Sequence, residues 1–289
     1  MTTRMRIPMK RSAAAALLIV LAFTSVAAAQ QRPLATEDPE PIGAGRLLIE
    51  GGFDYSIDAQ YPASGLQGDL LRLPTLGVSI GISSIAELQI DGGFYNRLTI
   101  TGRHPAPLSS LLTVTGDTTK DVEDVVVATK IRILSEAAKH PAFALRFATK
   151  LPNAGNESGL GLDTIDFFVS LLGAKTVQSV RLVGNVGLGI LSDPTGIGRQ
   201  NDVLTYGASF ARALTDRAEF VGEINGRWST RSGGAFPGTE TRSLLNLGGR
   251  FTTGSIRLDG GLFFGLTTLD PTIGFSGGFT YVFNAFQVP

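Results

Sequence analysis

Apolar and polar residues alternate through most of the chain, and the cleanest case is 217–228, RAEFVGEINGRW. Its even positions are Ala218, Phe220, Gly222, Ile224, Gly226 and Trp228. Its odd positions are Arg217, Glu219, Val221, Glu223, Asn225 and Arg227. Successive side chains of a β-strand point to opposite faces. One face of this strand is therefore apolar or small, and the other carries its charges. The segment 241–253 sets Leu245, Leu247 and Phe251 against Arg242, Asn246 and Arg250. The segment 255–267 sets Ile256, Leu258, Leu262, Phe264 and Leu266 against Arg257 and Asp259. Likewise 85–97 sets Leu88, Ile90 and Phe94 against Glu87, Gln89, Asp91 and Arg97, and 142–151 sets Phe143, Leu145, Phe147 and Leu151 against Arg146 and Lys150.

Carried along the chain, this period predicts about twelve strands. They fall near 44–56, 70–83, 85–98, 121–134, 141–151, 162–174, 178–191, 202–214, 217–230, 241–253, 255–267 and 272–286. Many are long enough to cross a bilayer, which takes roughly 9–11 tilted residues, whereas globular strands centre on about 5–6. The connections 83–84, 135–140, 175–177, 215–216 and 254 alternate with 57–69, 99–120, 152–161, 192–201, 231–240 and 268–271. Members of the first set are shorter than their neighbours, except that 135–140 slightly exceeds 268–271. Short periplasmic turns alternating with longer extracellular loops is the outer-membrane pattern. The fold expected is all-β: a closed antiparallel transmembrane β-barrel with both termini periplasmic. Phe275, Phe279, Tyr281 and Phe283 share one face of the last strand and Phe286 follows them. This resembles the C-terminal signal read by bacterial barrel-assembly machinery.

The N-terminus sets the compartment. Arg4, Arg6, Lys10 and Arg11 precede an apolar run at 13–28, and Ala27-Ala28-Ala29 supplies small residues for cleavage before Gln30. These are the parts of a secretory signal peptide. The expected organisation is a cleaved signal peptide at 1–29, an irregular periplasmic lead-in at 30–43, a barrel at 44–286 and a tail at 287–289. The lead-in, with three prolines and three acids, is too short for a plug domain.

Composition narrows the function. Lys+Arg and Asp+Glu balance at 25 each, which disfavours nucleic acid as a partner. Cysteine is absent, so neither a disulfide framework nor a thiolate metal site exists. Parity places Glu50, Asp54, Glu87, Asp91, Lys130, Arg132, Arg146, Lys150, Asp166, Arg181, Glu219, Glu223, Arg227, Arg242, Arg250, Arg257 and Asp259 on the polar face. On the lipid face a charge near the midplane costs up to about 2–4 kcal/mol, so these residues are expected to line the lumen. They form either a solute pathway or a packed salt-bridge network. Acids gather on the first strands and bases on the later ones, so closure sets a basic sector beside an acidic one. Glu37, Asp38 and Glu40 of the lead-in are within reach of bases at the periplasmic mouth. The glycine pairs 51–52, 92–93, 248–249, 260–261 and 277–278 fall inside strands, where glycine marks bends or close approach. No phosphate-binding glycine loop is present. The two histidines, His104 and His140, are too few for a metal centre. His104 near Ser109 and Ser110 is the one arrangement that suggests acyl transfer, and polar loops commonly hold such residues without chemistry.

Several segments resemble the outer-membrane family of meta-pathway phenol-degradation proteins, also described as transporters. These are Arg32-Pro33-Leu34 with Glu37-Asp38, Lys150-Leu151-Pro152 with Gly159, Gly161 and Asp163, and Gln200-Asn201-Asp202-Val203 ahead of Tyr206-Gly207. The likeness spans most of the chain after residue 30. It implies passive passage of a small hydrophobic or aromatic solute across the bacterial outer membrane, without enzymatic chemistry, cofactor or metal. The expected partners are outer-membrane lipids, the barrel-assembly machinery and that solute. The alternatives are a structural or receptor barrel with a plugged lumen, and an outer-membrane lipid-modifying enzyme.

Overall fold

The structure is a computed structural model that describes residues 32–287. The expected signal peptide at 1–29 and the last residues of the expected tail, 288–289, lie outside the described residues. Fourteen strands follow one another: β1 (Arg46–Tyr61), β2 (Leu66–Gly81), β3 (Ala86–Gly93), β4 (Asn96–Arg103), β5 (Thr118–Asp121), β6 (Val126–Leu134), β7 (Ala142–Lys150), β8 (Asp166–Val177), β9 (Val180–Ser192), β10 (Gln200–Ala213), β11 (Ala218–Ser229), β12 (Arg242–Thr253), β13 (Ile256–Gly265) and β14 (Ile273–Asn284). Each pairs antiparallel with its neighbours, and β1 pairs with both β14 and β2. The sheet therefore closes through β1 and β2, as spanning a bilayer with paired backbone requires, and only the four-residue β5, paired with β4 alone, ends in an edge.

Fourteen strands make a twelve-stranded barrel because two of its staves are broken. β3 lies on Thr75–Gly81 of β2 and β4 lies on Leu66–Arg72. Beside them β6 pairs with β3, and β5 pairs with β4. The break runs across neighbouring strands at Pro74, Phe94-Tyr95 and 122–125. Proline has no N–H to give the ladder. Against β1, Gly52 pairs with Thr75 but Asp54 pairs with Arg72, so β2 carries one extra residue there. A bulge of this kind reverses parity between the residues before it and those after it. Beyond it Arg72 turns inward to Asp54. Arg97, expected on the face of Glu87, instead sits opposite Leu71 and Lys120 and is exposed.

Elsewhere the two faces divide through the strand centres, with Asp202 and Arg212 on the outer face near the ends of β10. Phe147, Leu188, Phe220, Ile224, Trp228 and Phe279 stand exposed on the outer surface, while Glu87, Lys130, Glu223 and Thr280 are buried within. Outer aromatics cover glycines on adjoining strands. A Cβ at Gly51 would lie 2.9 Å from the Phe279 ring, and one at Gly222 would lie 2.7 Å from Phe210. Phe53 and Tyr55 pack on Phe275 across the β1–β14 seam.

Connection lengths alternate, with one correction. The strands β1 and β2 run further than the alternation predicts, so the expected connection 57–69 shrinks to 62–65. It is then no longer than 82–85 at the opposite end, while 104–117, 151–165, 193–199, 230–241 and 266–272, at the same end as 62–65, stay long, and 135–141 opposite equals the shortest of them.

Candidate functional site: the lumen and the segment within it

Residues Arg32–Gly43 run inside the barrel, held by inward side chains of strands from around its circumference. At the start, Arg32 donates to Thr75 Oγ1 (2.8 Å) and to the Gly277 carbonyl (3.0 Å), and lies 3.5 Å from Asp259. Its own carbonyl accepts from Arg250 (2.8 Å). The backbone N–H groups of Ala35 and Thr36 both donate to the Glu223 carboxylate, at 2.8 and 2.7 Å. Asn225 donates to the same carboxylate at 2.8 Å, and Asn246 joins it. Glu37 pairs with Lys130 (3.2 Å) and Arg146 (3.3 Å). Asn185, its amide oriented to satisfy both, donates to the Glu37 carbonyl (2.9 Å) and accepts from its N–H (2.7 Å). Asp38 takes Arg181 Nη2 at 2.6 Å, and its carbonyl accepts from Lys130 at 2.8 Å. Glu40 pairs with Arg132, and Ile42 N–H donates to Glu87 at 2.6 Å. The Ile42 side chain packs on Leu48 and Val282.

This corrects the expectation of a periplasmic lead-in. Short as it is, the segment needs no fold of its own. The wall supplies partners for its backbone groups, as buried polar groups require. The wall also makes room. A Cβ at inward-facing Gly52 or Gly278 would come within 2.4 or 2.6 Å of the Arg32 guanidinium. One at Gly207 would lie 2.7 Å from Thr36, and one at Gly248 would lie 3.1 Å from Pro33. Three of these four glycines belong to the in-strand pairs read from the sequence as marking bends or close approach, and here it is close approach.

The predicted polar-face residues sort into three groups. Glu87, Lys130, Arg132, Arg146, Arg181, Glu223, Arg250 and Asp259 touch the inserted segment. A second group pairs along the wall. Asp54 holds Arg72 at 2.6 Å, and Asp91 lies 3.8 Å from Arg146. Lys150 holds Asp124 (3.0 Å) and Asp166 (3.1 Å), while Glu219 stands 3.8 Å from Arg250 and 3.9 Å from Arg257. Glu50 accepts from Thr280 at 3.0 Å. The third group is Arg227 and Arg242, which border open space. Much of the pairing between inward acids and bases passes through Glu37, Asp38 and Glu40 of the segment.

Sequence reasoning missed Arg32, Arg72, Asn185, Asn225 and Asn246. The parity slip at Pro74 hid Arg72. The asparagines sit on inward parity and carry no charge, so a search for lipid-face cost passed over them.

Between the segment and the β7–β12 wall lies a cavity of about 420 Å³, lined by Arg146, Phe168, Asn185, Thr205, Asn225, Arg227 and Arg242 among others. A smaller one of about 230 Å³, on another side of Pro33–Ala35, includes Asp54, Arg72, Asn246 and Phe263. A third, of about 280 Å³ at the end with long connections, is lined by Tyr61, Leu160, Leu162 and again Arg242. Arg242 thus borders both the outer and the central cavity. His104 hydrogen-bonds Gln67 at 3.0 Å, while Ser109 donates to the Ala106 carbonyl at 2.7 Å. No hydrogen bond joins His104 to Ser109 or Ser110 among the described residues.

No family model matches the chain, and no curated protein matches it. Solved structures do. An outer-membrane channel from Pseudomonas putida F1 is similar with a TM-score of 0.59 at 15% identity, over 85% of this chain and 98% of that one. The NanC porin is similar with a TM-score of 0.50 at 9% identity, over 81% of this chain and 98% of that one. The chain thus has the fold of outer-membrane β-barrels, a fold that those channels and porins share.

Proposed function

We propose that the chain is a passive outer-membrane channel for a small solute, narrowed by its own segment 32–43. The observation that carries this reading is the chain of lumenal cavities beside that segment, walled by polar and charged side chains while the outer surface is apolar. A packed interior would leave no such space, and a lipid-facing charge ladder would be excluded on cost. The short turns and both termini then face the periplasm, and the long connections face outward. Outer-membrane lipids cover the apolar belt, and the aromatic end of β14 fits recognition by the barrel-assembly machinery. Nucleic acid has no place among the partners, and no catalytic step is needed. Phe168 on the cavity wall suits the small hydrophobic or aromatic solute that resemblance to the meta-pathway phenol-degradation proteins implies.

One observation favours a second reading, a receptor or structural barrel: the segment is tethered around much of the lumen. Planar-bilayer recording and liposome swelling with the purified full chain separate the two. The channel reading predicts small discrete conductance steps and swelling with small solutes. A silent bilayer with impermeable liposomes supports the plugged barrel instead.

A further inference from the structure

The inward charges of this barrel are mostly matched by nearby opposite charges, and the loosest match lies at the central cavity. Arg227 and Arg242 face one another directly across the β11–β12 ladder. Like charges in directly opposed positions destabilise a sheet, so the arrangement needs a compensating partner. Arg227 donates to the carbonyls of Glu240 (2.9 Å) and Gly238 (2.7 Å). Arg242 donates to the carbonyls of Gln60 (2.9 Å) and Leu269. Carbonyls satisfy N–H groups and orient the guanidinium, but they do not cancel its charge. Two acids lie near them, Asp270 and Glu240, and neither lines the cavity. Asp270 Oδ1 makes a long ion pair with Arg242 at 3.9 Å while its Oδ2 accepts from the N–H groups of Ser243 and Thr267 at 2.9 and 3.0 Å, and the Glu240 carboxylate accepts from Gly238 N–H at 2.9 Å. Of the other charges on the cavity, Arg146 and Glu37 pair with each other. The cavity of about 420 Å³ therefore has a net positive corner formed by two fixed guanidinium groups, with Asn225 and Thr205 beside it and Phe168 elsewhere on its wall. Its size falls in the range of small-molecule sites, about 300–1,000 Å³.

We propose that Arg227 and Arg242 form a binding site for the carboxylate of a small organic anion, whose apolar body lies in the central cavity toward Phe168. The planar guanidinium fork matches a carboxylate and pairs with it through charge-assisted hydrogen bonds. Arg242 also borders the outer cavity, so the anion meets the same residue on entry and at rest. The inference rests on the channel reading for the route by which the solute arrives, while binding itself does not depend on conduction.

Two measurements test it with benzoate as probe and benzamide as its neutral counterpart of the same size. Calorimetric titration of the detergent-solubilised full chain reads binding, and bilayer recording reads block. Benzoate binds and blocks, benzamide does neither, and Arg227→Gln with Arg242→Gln together weakens benzoate roughly tenfold or more, as loss of a charge-assisted contact requires. The double lysine variant keeps the charge without the fork. It retains anion preference with intermediate binding, and it guards against a glutamine variant that fails to assemble. Equal action of benzoate and benzamide, or benzoate binding unchanged in a folded glutamine or lysine double variant, overturns the anion site. If either result comes from a conducting barrel, the channel reading stands without it. Benzoate binding in a protein that never conducts leaves the site in place and removes the channel reading.

Discussion

At the scale of single residues, Glu223 shows how one inward side chain organises the lumen. Its two oxygens take the N–H groups of consecutive residues, Ala35 and Thr36, in a buried setting. Hydrogen bonds to a charged acceptor are worth about 1.5–3 kcal/mol. Glu223→Gln keeps the shape but replaces one oxygen with a donor that faces an N–H. The variant should assemble normally and loosen the segment, raising mean open-channel current in bilayer recordings. Its neighbour Ile224 is exposed on the outer face. Ile224→Arg puts a charge toward lipid at a cost of up to about 2–4 kcal/mol near the midplane, and heat-modifiable gel migration should show impaired assembly. Equal migration of the two variants with wild type would remove this assignment of faces. Lys130 supplies a harder case. It is buried between Glu37 and Glu87 (3.2 and 3.0 Å), and Lys130→Met leaves two carboxylates without their shared cation. Breaking a buried pair typically costs about 3–5 kcal/mol, so the thermal midpoint of that variant should fall well below that of Glu223→Gln.

At the scale of elements, period-2 alternation revealed nearly every strand because a transmembrane strand must separate apolar and polar residues. It failed where the chain departs from that period. The extra residue at Leu73-Pro74 reverses the face of what precedes it in β2, and the gap at Phe94-Tyr95 does the same to β4. Parity could not show that Arg72 points inward and Arg97 outward. The lead-in was misplaced for another reason. Its acids and prolines read as solvated chain, and most of the partners that bury it lie on strands 43 to 245 residues away. One trace was present in the sequence: glycines at inward positions 52, 207, 248 and 278, where a lumen lined for water would not need them. Topology can be checked on intact cells. An epitope within 105–115, in a long connection, should bind antibody without permeabilisation. One at Thr215-Asp216, in a short turn, should bind only after the outer membrane is opened. Labelling in the opposite order would invert the barrel.

At the scale of the whole molecule, the closed wall and the segment inside it form one electrostatic unit. Deprived of Glu37, Asp38 and Glu40, the wall would keep Lys130, Arg132, Arg146 and Arg181 facing a wider lumen. Removing the segment should therefore both widen the pore and shift its selectivity toward anions, because fixed charge lining a pore sets its preference. The most direct test of the account is single-channel conductance of the full chain beside a variant lacking residues 32–41, with assembly verified by heat-modifiable migration. The account predicts a small conductance for the full chain and a several-fold larger, more anion-selective one for the variant. Equal conductance and equal reversal potentials in the two would show that the segment does not occupy the lumen in the membrane, and would contradict it.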